Sequence, residues 1–473
     1  MTQPPALGRK FRTALRRGAN RAARAAMVLA VLALTPLVAA DPAAANGTSN
    51  NDAFNNIGPS WHANWMASVP GDTSLSDMSI PGTHETLALH GGEWVQTQQN
   101  YGDSAATLTT QLQRGIRAID IRVRVIGGKF AIHHGSYYQN ANFDDVLTKA
   151  RAFLSAYPSE TILMRLHSEC TGQTGSCTDD PSTVDQSTRE TIFNQYVAQY
   201  SGLFYGSSVV PGHPTGMPTL NQARGKIVLT SFEGPQGGDY GYGISGYNDN
   251  KEDAYSVCNQ PQKWSAVQSN LNQAAQNTNH STFVTYTSAN CVPYGTFPAN
   301  VAGGFRAPGV NIDLMNYLNS GGGNGGHLGV VMMDFPGWAL MDDIIYRNRA
   351  PITSGIPGYC LDDYAGNGAA GAKVDAYACN GTAPQMWTIV GNTVRTPAGM
   401  CLDVRNAGTA NGNPVELWNC NGFANQQWVP DGKHELVNPA SGRCLDVPGW
   451  QTGGTQLDIW DCQGSTNEQW LHA

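Results

Sequence analysis

Three copies of one short pattern fill the last quarter of the chain. Each opens on Cys-Leu-Asp, at Cys360, Cys401 and Cys444, and closes on Gln-x-Trp or Glu-x-Trp at Trp387, Trp428 and Trp470. Units of little more than 40 residues, rich in Gly, Asn, Trp and Cys and poor in helical spacing, are too small to bury a core singly. Three of them can share one core around a pseudo-threefold axis. Residues 354–473 are therefore expected to form a separate all-β domain, reached through a short linker at Asn348–Ile356 that contains Pro351 and Gly355.

From about 70 to 350 the pattern is different, because strand-like and helix-like segments alternate. Ala118–Val125, Lys129–His134, Thr161–His167, Gly225–Phe232, Phe283–Thr287 and Val330–Asp334 read as strands. Phe143–Tyr157, Thr188–Phe204, Lys263–Gln276 and Ala339–Arg347 read as helices. Repeated β-then-α units predict a parallel sheet with helices outside, and a barrel of that kind keeps its active site at the C-terminal strand ends.

Residues 1–40 carry seven Lys and Arg, no acid, an apolar run from Met27 to Leu37 and small residues after it. They predict a cleaved export signal, because the run is too short to span a bilayer. Arg16-Arg17 leaves the export route open. With 28 Lys and Arg in the whole chain, the remainder holds 21 against 36 acids. That argues against nucleic-acid binding, and it leaves apolar or aromatic side chains to make any membrane contact. Ten cysteines fit an exported, oxidised chain. The pairs expected are Cys170–Cys177, Cys258–Cys291, Cys360–Cys379, Cys401–Cys420 and Cys444–Cys462. Zinc is the competing use, but no Cys-x-x-Cys or histidine pair supports it.

The chemistry concentrates in three strings: Pro-Gly-Thr-His84-Glu85, Asp120-Ile-Arg122 and His133-His134-Gly135. His84 follows a predicted turn. His134 ends a strand in which Phe130 and Ile132 alternate as a buried face. Asp120 and Arg122 share one side of their strand. Two imidazoles and a guanidinium around one phosphate can cut a phosphodiester by general acid–base chemistry.

On SIPGTHETLAL, RAIDIRVRV, AIHHG, PSETILM, ARGKIVL and VVMMDFPG, the stretch Ser76–Arg347 resembles the phosphatidylinositol-specific phospholipase C family, particularly its secreted bacterial enzymes. The resemblance implies a distorted TIM-like (βα) barrel over 53–350. It makes His84 the base on the inositol 2-hydroxyl and His134 the acid on the leaving oxygen. It has Asp334 orienting His84, Glu85 supporting His134, and Arg122, held by Asp120, neutralising the phosphate. Calcium-dependent members place an acid where this chain has Arg122, so neither metal nor cofactor is expected. The rival is a calcium or magnesium site from Glu85, Asp120 and Glu169. The headgroup positions depart from the family. His167 stands where a Lys is usual, Thr230-Ser231-Phe232 offers no Arg, and Asn259 and Pro261 are the nearest occupants of the expected Asp and Tyr sites. His167 and Glu169 remain candidate substrate contacts, and Trp94 a candidate membrane anchor.

The C-terminal segment resembles the ricin B-type β-trefoil lectin family. That resemblance puts Trp387, Trp428 and Trp470 in the core. It assigns sugar contacts to Asp362, Tyr377 and Asn380, to Asp403, Trp418 and Asn421, and to Asp446 and Trp460. The third repeat, with Gln463 and Glu468 as departures, is expected to be the weakest.

The combined reading is a secreted, monomeric phospholipase C. It acts on phosphatidylinositol or glycosylated forms of it at a membrane surface and is targeted to glycans. The alternatives are a phosphodiesterase on another phospholipid headgroup, or a catalytically inert glycan-binding protein.

Overall fold

The computed structural model describes residues 50–471 apart from 59–61, 98–103, 170–178, 180–183, 213–214, 236, 292–294, 306, 321, 349, 381, 391 and 397–398. The expected export signal and the Cys170–Cys177 pair lie outside the described residues. Among those residues no helix is long and apolar enough to cross a membrane.

Among the described residues, ten strands build the N-terminal sheet: β1 Ser79–Thr83, β2 Ala118–Ile126, β3 Lys129–His134, β4 Tyr137–Asn142, β5 Ile162–Ser168, β6 Ile227–Glu233, β7 Asp239–Gly243, β8 Asn250–Glu252, β9 Phe283–Tyr286 and β10 Gly329–Met333. Their order is β7-β6-β5-β2-β1-β10-β9-β8, with β3 and β4 branching from β2. All neighbours from β6 to β8 are parallel, while β7 and the β3–β4 extension are antiparallel. No pairing joins β7 to β8 among the described residues, so the sheet is a curled, incompletely closed barrel.

Helices Phe143–Ala156, Gln186–Gln199, Gln260–Ala275, Val310–Asn319 and Trp338–Ile345 contribute buried side chains, and the predicted helices fall on four of them. Their starts have chemical causes. Asp185 Oδ1 accepts from Thr188 N at 2.8 Å, and Asn259 Oδ1 accepts from Gln262 N at 3.2 Å with Pro261 in the first turn. Asn259 and Pro261, nearest in sequence to the expected headgroup positions, thus serve to begin a helix.

Two structural consequences of the motif strings stand out. Arg117 and Glu160, from RAID and PSETILM, form a fully buried pair (Nη2–Oε2 2.8 Å), and the remaining guanidinium hydrogens go to the carbonyls of Leu112, Ile116, His62 and Ala63. Such complete pairing is what makes a buried arginine tolerable. Pro81-Gly82-Thr83, expected as a turn, instead lies inside β1. Gly82 is required there, since a Cβ would sit 2.5 Å from Met332 Sδ and 2.9 Å from the Ala118 carbonyl.

Along one face of the sheet the chemistry changes from end to end. Ile80, Ala118, Leu163, Val228, Val284 and Val330 belong to one buried apolar cluster. Further along the same strands come Asp120 and Arg122 on β2, Arg165 and His167 on β5, and Ser231 and Glu233 on β6. Period-two alternation carries each strand from an apolar floor to a charged mouth.

The C-terminal region is all β with short 3₁₀ turns. The supposed linker belongs to its sheets. Ala350 and Pro351 pair with Trp387 and Met386, Thr353 pairs with Cys360 and Leu471, and Ile352 is buried. Threefold repetition appears in one hydrogen bond made three times. The indole Nε1 groups of Trp387, Trp428 and Trp470 donate to the carbonyls of Leu361, Leu402 and Leu445 at 2.8, 2.9 and 2.9 Å. These buried tryptophans are the centre of the shared apolar core. Disulfides join Cys258–Cys291, Cys360–Cys379, Cys401–Cys420 and Cys444–Cys462, as expected.

Candidate active site and trefoil sites

Pairing of β1 with β10 brings together residues 250 positions apart. Thr83 is in register with Met333, and His84 N donates to the Met333 carbonyl at 3.0 Å. His84 Nδ1 then lies 3.1 Å from Asp334 Oδ1. The backbone is strained immediately beside both groups, because Glu85 and Phe335 hold left-handed φ values of 42° and 46°. Non-glycine residues adopt such values where the surroundings over-determine them, commonly at functional sites.

Arg122 is the hub. Its Nη2 and Nε bind Asp120 (2.8 Å to Oδ2; 3.0 and 3.1 Å to the two oxygens), while Nη1 reaches Glu85 Oε1 at 3.3 Å and Glu169 Oε2 at 3.4 Å. Nη2 also stands 3.4 Å from His84 Nε2. The other Glu85 oxygen is 3.0 Å from His134 Nε2, and Glu169 Oε1 accepts from Gly135 N at 2.7 Å. The two imidazoles are therefore linked through one guanidinium and one carboxylate. The three acids that a calcium site would need converge on Arg122.

Electrostatics follow from burial. Burial, then the Arg122 charge, holds His84 well below the ordinary imidazole range. Burial pushes Asp334 well up and Glu85 up as well. Burial also opposes ionisation of Asp120, but Arg122 and Arg165 together outweigh it and keep that carboxyl strongly depressed. The Nδ1 side of His84 thus faces Asp334, and its Nε2 side is turned toward Arg122.

His167 does not join that set directly. It points to a second network that sequence reading missed. Glu233 Oε2 receives Arg165 Nη2 at 2.5 Å and stands 3.2 Å from His167 Nδ1, while Ser231 Oγ donates to Glu233 Oε1 at 2.8 Å. Arg165 Nη1 also reaches Asp120 at 3.4 Å, which joins the two networks. The strand registers explain the placement, with Arg122 opposite His167 and His167 opposite Glu233. Arg165 was findable, because it precedes His167 by two residues as Asp120 precedes Arg122. Tyr255 and Tyr286 were also missed; their rings lie 5.5 and 5.6 Å from that of His84. Trp94 is 37 % exposed and meets the Phe297 ring edge-to-face at 5.5 Å, beside a cavity of about 500 Å³.

In the trefoil, Asp362, Asp403 and Asp446 are buried and Tyr377, Trp418 and Trp460 are exposed. Each Asp faces another acid across its strand pair: Asp375, Glu416 and Asp458 respectively. Asn380 and Asn421 are partly engaged elsewhere, since their amide oxygens accept from Thr382 N at 3.0 Å and Phe423 N at 2.9 Å. Gln426 Nε2 donates to Asp403 Oδ2 at 2.8 Å, and two further amides on the aspartates come from residues that sequence reading passed over. Asn425 Nδ2 is 2.8 Å from Asp403 Oδ2, and Asn467 Nδ2 is 2.5 Å from Asp446 Oδ1. The first repeat has Pro384 at the matching place, one residue before its Gln-x-Trp.

Comparison with known proteins bears on both regions. The model of the phosphatidylinositol-specific phospholipase C X domain matches residues 78–231, and that of the ricin-type beta-trefoil lectin domain matches 349–470. A 1-phosphatidylinositol phosphodiesterase of Listeria monocytogenes is 27% identical over 297 residues, spanning 60% of this chain and 84% of that protein. Another, from Staphylococcus aureus, is 32% identical over 192 residues, 38% of this chain and 54% of its own length. The solved phosphatidylinositol-specific phospholipase C from Listeria monocytogenes aligns over 61% of this chain and all of its own, with 26% identity and a TM-score of 0.47. The chain thus joins a region matching the phosphatidylinositol-specific phospholipase C X domain, at residues 78–231, to one matching the ricin-type beta-trefoil lectin domain, at residues 349–470.

Proposed function

We propose that the barrel is a phosphatidylinositol diacylglycerol-lyase working without metal. It acts, as a monomer exported from the cell, on phosphatidylinositol or its glycosylated forms. His84 Nε2 takes the proton from the inositol 2-hydroxyl, and that oxygen attacks phosphorus. The bond from phosphorus to the glycerol oxygen breaks, His134 protonates that oxygen, and diacylglycerol leaves. Inositol 1,2-cyclic phosphate remains. Arg122 neutralises the equatorial phosphate oxygens, held by Asp120, Glu85 and Glu169, and Asp334 keeps His84 in the tautomer a base needs.

One observation carries this reading: a single guanidinium is fixed by three carboxylates within 3.4 Å and touches the base. A positive centre so placed suits a phosphate in transfer, and it supplies the charge that calcium provides elsewhere. On the inositol side, Glu233, Arg165, His167 and Ser231 offer both donors and acceptors to ring hydroxyls. Trp94 gives an aromatic contact at the lipid interface. The trefoil binds glycans through Asp403 and Trp418, with Asn425, and through Asp446 and Trp460, with Asn467. In both sites a carboxylate and an amide take a vicinal diol while the indole stacks on a pyranose face.

The Glu233 network favours a second reading, cleavage of another phospholipid headgroup by the same two histidines, because it replaces the free cations expected there. Phosphorus NMR of products from a panel of phospholipids separates the two. A cyclic inositol phosphate, formed at full rate in excess EDTA, is expected. Phosphocholine or a cyclic glycerol phosphate establishes the second reading, and loss of activity that calcium restores overturns metal independence.

A further inference from the structure

The third trefoil repeat, the one its sequence departures make least promising, encloses a cavity of about 320 Å³. Asp446 and Asn467 line it, as in a single-sugar site, and so do two indoles, Trp460 and Trp450. They are 40 % and 55 % exposed, so both present an aromatic face to solvent. Trp460 is the aromatic common to the repeats. Trp450 is not.

Trp450 lies four residues after Asp446. The corresponding residues after Asp362 and Asp403 are Gly366 and Ala407. All three occupy the same left-handed backbone, with φ of 62°, 51° and 64° for Gly366, Ala407 and Trp450. This conformation suits glycine and resists a bulky side chain. The turn that imposes it is hydrogen-bonded, Trp450 N donating to the Val447 carbonyl at 3.0 Å. A large side chain kept where the backbone prefers the smallest one points to a use outside the fold, since an indole more than half exposed contributes little to the core. Asp458 lines the cavity beside Asp446 and adds a second carboxyl for sugar hydroxyls.

We propose that the third repeat is the trefoil's principal glycan site and takes two consecutive pyranose rings. The first ring stacks on Trp460 with a vicinal diol on Asp446 and Asn467, and the second stacks on Trp450. This rests on the reading that the trefoil binds glycans. The ligand class is accordingly an oligosaccharide or polysaccharide chain, not a single terminal sugar.

The test uses the full chain on immobilised galactan, xylan and mannan, with the corresponding mono- and trisaccharides in calorimetry. Trp450→Gly is the informative variant, because glycine fits the left-handed backbone and folding is retained. It is expected to lose about tenfold in trisaccharide affinity with monosaccharide affinity unchanged, Trp450→Phe restoring most of the loss, and Trp460→Ala is expected to weaken both. Equal trisaccharide affinity in wild type and Trp450→Gly overturns the two-ring site while leaving the glycan reading intact. Wild type that binds none of the three polysaccharides overturns the glycan reading and this inference with it.

Discussion

The barrel mouth and the trefoil repeats both gather polar side chains, but they hold their charges in opposite ways. At the barrel mouth the charges are buried and shared. Asp120 serves Arg122, Arg165 and the Glu85 amide, and Arg122 serves three acids. Each trefoil site is instead a shallow repeat with its own acid, exposed aromatic and disulfide, on a common core. A shared buried network makes every member depend on the others, because an unpaired charge in low dielectric is costly. Repeats distribute their function, so one can change while the others stay intact. Trp450 accordingly stands in one repeat alone, whereas Arg165 and Glu233 stand as a partnership joined to the Arg122 network.

The contrast can be broken most sharply at the histidines. His84→Ala and His134→Ala should each lower turnover by about 10²- to 10⁴-fold, read as cyclic phosphate released per second, with trefoil binding untouched. If either variant stays fully active, the assigned acid and base are wrong. Next in size is Arg122→Lys. A single ammonium cannot bridge three carboxylates, so a loss of about 10²- to 10³-fold in kcat is expected, against little change for an exposed Arg→Lys elsewhere. In the trefoil the large effects should be on stability and only at the axis. Trp428→Ala should cost about 3–5 kcal/mol in denaturant unfolding. The exposed Trp418→Ala should stay within about 0.5 kcal/mol while weakening glycan retention.

Two smaller effects concern pH. The base must be neutral to act, and burial with Arg122 lowers its affinity for protons. The acid limb of kcat/KM should therefore lie below pH 6.5, and a limb above that value would contradict the buried, Arg122-facing His84. In the third repeat, burial first and then the Asp458 charge push Asp446 up to about 7. The unfolded chain releases that proton near pH 4, so the native form holds the extra proton between about pH 4 and 7 and its stability falls as pH rises through that window. Asp458→Asn removes the facing charge. It should raise stability by about 1 kcal/mol at pH 8 and by nothing measurable at pH 4, as followed by thermal melts.

Much of the candidate set at the barrel mouth was legible in the chain because each residue sits in a short string on or just after a strand. His84, His134 and Asp334 needed only the position of strand ends, and Arg122 only period-two alternation from Asp120. Arg165 was hidden by its apolar neighbours in Leu163–Leu166, and Glu233 fell just past the predicted end of its strand. Tyr255 escaped because it lies in a connection between β8 and the following helix, where no periodicity marks a direction. The trefoil amides are arranged by a different cause. Asn380 and Asn421 cap turns with their amide oxygens, while Asp403 receives the amides of Asn425 and Gln426 and Asp446 receives that of Asn467.

The amino-acid sequence alone determined the alternation of strands and helices, the threefold repeat with its cysteine pairs, and the apolar and polar faces of each strand, because these depend on local periodicity and spacing. Tertiary structure decided which charges meet. His84 and Asp334 are neighbours only because β1 pairs with β10, and Arg122 is surrounded only because β1, β2 and β5 lie side by side. Electrostatic interaction depends on distance through space and on removal from water, and neither is encoded in the separation of residues along the chain.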